Sequence, residues 1–151
     1  MTDTLTVTEL RASAVGERAI VFDRPLIGFP GSRTYRLRGL GDEYAPFAAL
    51  VSADEDGLSF IVVPPGHLFG DYVVEVPEVD VAALEIRSAQ DVDVLVLVTR
   101  RAGATPTANL MGPIVVNAGT GKAAQLVLAE GGYGVAVPVD AGSARGPAAS
   151  G

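Results

Sequence analysis

The apolar residues of this chain fall in short runs, broken by Gly and Pro about every ten positions. Leu5-Thr6-Val7-Thr8 alternates apolar and polar, the period of a half-buried strand. Ala19–Phe22, Tyr35–Leu37, Phe47–Val51 and Leu58–Val63 follow, then Tyr72–Val76, Val94–Val98, Ile114–Val116, Gln125–Leu128 and Val135–Val139. Such runs fit a buried helix as well as a strand, but their brevity and their Val content favour strands. Short strands at this spacing predict an all-β, mainly antiparallel domain, either a small β-barrel-like fold or a sandwich. In Val94–Val98 successive aliphatic residues leave no polar face, so this strand is expected at the centre, buried on both sides.

One short helix is predicted near 78–86. Asp80 can cap it, Ala82 and Ala83 are strong helix formers, and Leu84 can point inward. A further turn is expected from Ser88 to Asp91. Asn117-Ala118-Gly119-Thr120-Gly121 and Glu130-Gly131-Gly132 carry the chemistry of tight hairpins. Residues 1–140 are expected to form a single β-domain, and the Gly-, Ala- and Pro-rich stretch 141–151 a disordered tail.

Composition sharpens this picture. The 151 residues include 21 Val and 5 Ile but only 5 Phe, 4 Tyr and no Trp, a core suited to pleated surfaces. The absence of Cys removes disulfides, thiolate metal sites and Cys nucleophiles together. No run is long enough for a membrane span, and Met1–Leu5 lacks the charged start and apolar stretch of a signal peptide, so a cytoplasmic location is expected. The net charge is -7 and unevenly spread. Residues 1–41 carry four acids and six bases, 42–93 twelve acids and one base (Arg87), and 94–151 two acids and four bases. Solvated loops explain such a segment; so does an acidic face for a basic partner.

Catalytic patterns fail one by one. His67 is the single histidine and has no Cys to share a zinc ion with, and no Ser stands in a nucleophile elbow. Gly119-Thr120-Gly121-Lys122 lacks the remainder of a phosphate loop, since Val116 and Ala123 occupy the positions of its first Gly and its hydroxyl residue. Asp54-Glu55-Asp56-Gly57 lacks the distal Glu of a calcium loop, where Val63 stands, and reads as a charged turn. Arg36 and Arg38 alternate with Tyr35 and Leu37 as the wet face of a strand, and Arg100-Arg101 is the other basic cluster. No enzyme, cofactor or metal ion is expected. Nor is RNA affinity: the net charge repels a polyanion, and neither cluster is interleaved with several stacking aromatics.

The string Thr107-Ala108-Asn109-Leu110-Met111-Gly112-Pro113-Ile114-Val115-Val116-Asn117 closely resembles the signature of the flagellar assembly factor FliW family. Phe60–Pro64 followed by Asp71-Tyr72, the Val-rich stretch Asp91–Thr99, and Tyr133 with Pro138 resemble family features in order and spacing; Phe29-Pro30-Gly31 matches loosely. Pro64-Pro65 departs from the family's usual Asp-Pro. The likeness spans roughly residues 5–140. It implies a binding protein that takes up CsrA, a small RNA-binding translational repressor, so relieving repression of flagellin mRNA, and that also binds flagellin as a chaperone-like partner. Two alternatives are a dedicated flagellin chaperone without repressor binding and a small-ligand-binding β-barrel.

Read with the charge pattern, the resemblance favours an acidic contact surface. Its expected members are Asp54, Glu55 and Asp56 at a turn, Asp71 beside Tyr72, and Glu75, with Glu78 and Asp80 also expected to be exposed. Phe69 and Tyr72 are either apolar anchors of that contact or core residues. Asn109 and Asn117 bracket the family string; at least one is expected to bond backbone at a strand end, and contact with a partner is the alternative.

Overall fold

The computed structural model describes residues 4–8 and 17–144. Eleven strands are found among the described residues: β1 (Leu5–Val7), β2 (Arg18–Phe22), β3 (Thr34–Gly39), β4 (Ala48–Ser52), β5 (Ser59–Val63), β6 (Val74–Val76), β7 (Val92–Thr99), β8 (Thr107–Ala108), β9 (Ile114–Asn117), β10 (Lys122–Gln125) and β11 (Val137–Pro138). One α-helix, α1 (Glu78–Ala83), lies between β6 and β7.

Seven strands close on themselves in the order β7-β5-β4-β3-β2-β10-β9, with β9 returning to β7. Closure removes the sheet edges that a flat arrangement would expose. Every pairing is antiparallel except β10 with β2. Between the barrel and the sandwich, the chain is a barrel.

Strand alternation fills the lumen and builds a second core outside it. Ile20, Phe22, Tyr35, Leu37, Leu50, Val62, Leu95, Ile114, Val116 and Ala123 pack together inside. The opposite parity of the same strands, Val63, Val94, Val96, Val115 and Ala124, joins Val74, Val76, Leu84 and Ile86 in the outer cluster. The β1–β6 pair and α1 therefore cover one side of the barrel. On the far side Arg36 and Arg38 stand in solvent, as their alternation predicts.

β7 runs through both cores. Val94, Leu95 and Val96 are buried on both faces, while Leu97 and Val98 are partly open where the strand leaves the cover. Asp93 has the lumen parity of Leu95. Its carboxylate accepts from Arg18 Nη1 at 2.8 Å, and Arg18 Nη2 donates to Ala118 O at 2.7 Å, so a paired charge stoppers one end of the barrel.

The helix is shorter than predicted because Glu85 takes a left-handed conformation (φ 56). Ile86 N–H then donates back to Val81 O and Glu85 N–H to Ala82 O, the pair of bonds that ends a helix. Pro77, not Asp80, is the N-cap. The strand predicted at Gln125–Leu128 is displaced to Lys122–Gln125, and its continuation runs beside residues 111–113. Glu130-Gly131-Gly132 does turn the chain, but not as a tight hairpin of adjacent strands. Leu128 N–H and the carbonyl of Gly134 both bond the segment Leu110–Met111, which lies between the two arms. Residues 141–144 of the expected tail are packed instead: Ala144 is fully buried and Ala141 packs on the outer core. Residues 145–151 of that expectation lie outside the described residues.

Candidate partner-binding surface

The β4–β5 hairpin presents Asp54, Glu55 and Asp56, all exposed. Its tip is held by side chains rather than left loose. Ser52 Oγ accepts from the amides of Asp54 (3.1 Å) and Glu55 (2.9 Å) and lies 2.6 Å from Ser32 Oγ. Asp54 Oδ2 accepts from the backbone N–H groups of Arg33 and Thr34, both at 2.8 Å. The Thr34 bond, then the Arg33 bond, hold its carboxyl below the ordinary carboxylate range. Glu55 lies over Gly31, where any Cβ would run into its Oε1.

A second group of acids forms beyond the other end of β5. Asp71, Glu75 and Glu130 line a hollow of about 680 Å³ with Val73, Val127, Leu128 and Tyr133. Asp71 is partly committed: Oδ2 accepts from Ser143 Oγ (2.8 Å) and Oδ1 from Ala144 N–H (2.6 Å). Glu75 stands exposed on β6 opposite Thr6 of β1.

Three acids of the 42–93 segment do not belong to any negative surface. Asp80 is buried, contrary to expectation, with Arg24 Nη2 3.0 Å from its Oδ1. Asp93 is taken by Arg18, and Glu85 by Lys122 at 2.8 Å. All three bases come from the flanking segments that carry net positive charge. The other nine acids of the segment (Asp42, Glu43, Asp54, Glu55, Asp56, Asp71, Glu75, Glu78 and Asp91) are exposed.

Phe69 and Tyr72 are core residues, each 1% exposed, so neither is an apolar anchor on the surface. Tyr72 stacks edge-on against Tyr133 (4.7 Å, 89°) and its hydroxyl donates to Leu110 O. Burial, with Tyr133 beside it, pushes the Tyr72 hydroxyl far above the usual tyrosine range.

Asn109 and Asn117 are both structural. Asn109 Oδ1 accepts from Met111 N–H (3.1 Å) and Gly112 N–H (3.0 Å), fixing the break before β9. Asn117 is buried at the end of β9 and serves the β9–β10 turn and the end of α1 at once. In that turn Gly121 has φ 83, and a Cβ there would collide with Ala19 O. His67 is exposed on a 3-10 turn.

A family model described as "FliW protein" matches residues 3–139. The chain belongs to the FliW family of flagellar assembly factors. A relative in Bacillus licheniformis, "Flagellar assembly factor FliW", is 37% identical over 124 residues, covering 82% of this chain and 86% of the relative. The FliW of Bacillus subtilis strain 168 is 34% identical over 127 residues, covering 82% and 86%. A crystal structure of the flagellar assembly factor FliW superposes with a TM-score of 0.74 at 25% identity, covering 91% of this chain and 96% of that one. The barrel described above is therefore the FliW fold.

Sequence reasoning missed a different surface feature. Ile27, Val127 and Val135 are 64%, 58% and 62% exposed and meet around a hollow of about 260 Å³ with Leu97, Asn109, Met111, Gly112 and Gln125. Its signal in the sequence was slight, because Val127 and Val135 belong to runs that read as core and Ile27 stands outside every run.

Proposed function

We propose that this chain acts as a flagellar assembly factor in the cytoplasm, binding the repressor CsrA through its acidic surface and so relieving repression of flagellin mRNA. Flagellin is its second, chaperone-like partner. The family resemblance supplies both partners. The observation that carries the reading is the set of nine exposed acids remaining in 42–93 after Asp80, Glu85 and Asp93 have been paired internally. An RNA-binding repressor presents basic surface to phosphate, and a surface of one sign steers such a partner and opposes RNA nearby. The two readings without a repressor fare differently. A ligand-binding barrel needs lumen space, and side chains occupy it here. A dedicated flagellin chaperone has no use for a repressor.

Calorimetry of the purified chain with CsrA and with flagellin separates these. Binding to both partners, with release of a flagellin leader RNA from CsrA, is the expected result. Flagellin binding alone selects the chaperone, and binding to neither removes the proposal.

A further inference from the structure

Pro25 decides where the one parallel pairing of the barrel stops. Val21 N–H donates to Gly121 O and Asp23 N–H to Ala123 O, one bond every second residue. The next donor in that register is residue 25, a proline with no N–H. Ile27 N–H turns instead to the side chain of Gln125, at 3.1 Å from Oε1. On its other side the continuation of β10 stays paired: Leu126 N–H donates to Pro113 O (2.8 Å) and Leu128 N–H to Met111 O (2.7 Å). Val127 lies between them, so strand alternation aims its N–H and C=O the opposite way, toward the side where pairing with β2 has ended. Neither group has a hydrogen-bond partner among the described residues.

Open edges attract other strands, and proteins usually blunt them with charge or proline. Gln125–Ala129 contains neither. A hollow of about 420 Å³ runs alongside it, between Gln125–Leu128 and Arg24, Pro25, Pro77 and Asp80, with Arg24 Nη2 3.0 Å from Asp80 Oδ1. Two contrasting surfaces flank that hollow. One is the apolar hollow ringed by the exposed Ile27, Val127 and Val135. The other is the hollow that holds Glu75 and Glu130, both exposed and without an ion-pair partner among the described residues, and with no Lys or Arg in its lining.

We propose that the Gln125–Ala129 edge receives an extended peptide segment as an added β-strand, its apolar side chains against Ile27 and Val135 and its Lys or Arg side chains over Glu75 and Glu130. Side chains of a strand alternate between faces, so an apolar–basic alternation matches one apolar and one acidic flank. Backbone bonds to Val127 give the docking, and the two flanks give selectivity. This site is separate from the Asp54–Asp56 turn and does not depend on the identity of the repressor.

The test is a titration of the isotope-labelled full chain with a blocked heptapeptide of alternating Val and Lys, read at individual amides. Saturable shifts centred on Val127 are expected, with its N–H exchange slowed at least about tenfold at saturation. The same peptide N-methylated at every second residue, or carrying Glu for Lys, is expected to bind at least about tenfold more weakly. Val127→Pro removes a donor that has no internal partner and should abolish binding; if that variant does not fold, the N-methylated peptide decides. Absence of any Val127 shift at millimolar peptide overturns the proposal, as does equal binding of the N-methylated peptide. A concentration-dependent dimer that protects Val127 without peptide also overturns it, since the edge then belongs to a second copy.

Discussion

The side-chain amide of Asn117 donates to the carbonyl of Leu84 at 2.8 Å and to that of Glu85 at 3.2 Å. Its Oδ1 accepts from Gly119 N–H (2.9 Å) and Thr120 N–H (3.3 Å). One side chain thus satisfies the end of α1 and shapes the β9–β10 turn, where Leu84 O has no further turn of helix to bond.

Asn117→Ala leaves buried backbone carbonyls without a donor, which costs about 1–3 kcal/mol per group. The expected loss is about 2–3 kcal/mol, read as a lower urea midpoint with an unchanged slope. Asn109→Ala, at a partly buried site with two accepted amide bonds, should lose less, about 1 kcal/mol. Equal losses would show that the bond to Leu84 adds nothing.

Val96→Asp sets an unpaired carboxylate into the outer core beside Val63 and Val94. Against a typical stability of about 5–15 kcal/mol, a loss of several kcal/mol is expected to leave the chain largely unfolded at 37 °C. A thermal midpoint within a few degrees of wild type would place this strand at the periphery.

Asp54 ties acid stability to the β4–β5 turn. Its folded-state carboxyl is shifted down from 3.8 by the Thr34 and Arg33 amides. The stabilisation is therefore fully present above the unfolded value and is lost as pH falls through the folded one. Asp54→Asn should flatten the stability profile below about pH 4 while leaving its slope near pH 7 unchanged. Denaturant titrations at a series of pH values from neutral to acid read this directly.

Asp54 is therefore a poor probe of binding, and the test of the acidic turn uses Glu55→Gln with Asp56→Asn, leaving the clasp intact. Exposed ion pairs contribute about 0.2–1 kcal/mol each, so the effect should appear in association more than in lifetime. Stopped-flow mixing with CsrA is expected to show slower, less salt-dependent association. Unchanged rates at low and high salt exclude the turn from the contact.

The strands were legible because β-branched runs bounded by Gly and Pro encode them locally, whereas the choice of barrel over sandwich rests on β9 returning to β7. Ile20, Leu50 and Val62 all sit where period-two patterning puts them. What was not legible depends on distant partners. Asp80 reads as a solvated cap until Arg24, far away in sequence, is brought to its carboxylate. Tyr72 reads equally as anchor or core until Tyr133 and Leu110 close over it. The displaced β10 has the same origin: Lys122-Ala123-Ala124 has weak strand character of its own and is held by Val115, Val116, Val21 and Phe22. Charge summed along the chain likewise overstates the acidic face, because Arg18, Arg24 and Lys122 cross over to neutralise part of it.

Barrel closure also fixes an order of events during synthesis. β2, β3, β4, β5 and β7 can pair as a five-stranded sheet from neighbouring hairpins and the long connection through β6 and α1, but β2 and β7 are then both bare edges. Those edges are covered only when β9 reaches β7 and β10 reaches β2, bringing Lys122 beside Val21. The β2–β10 contact joins the most distant parts of the chain and forms late, after its loop-closure entropy has been met. A nascent chain halted between β7 and residue 122 carries an unclosed, Val-rich sheet whose bare edges can pair with another such chain. The last third of the sequence thus decides how long the first two-thirds carry sheet edges open to mispairing.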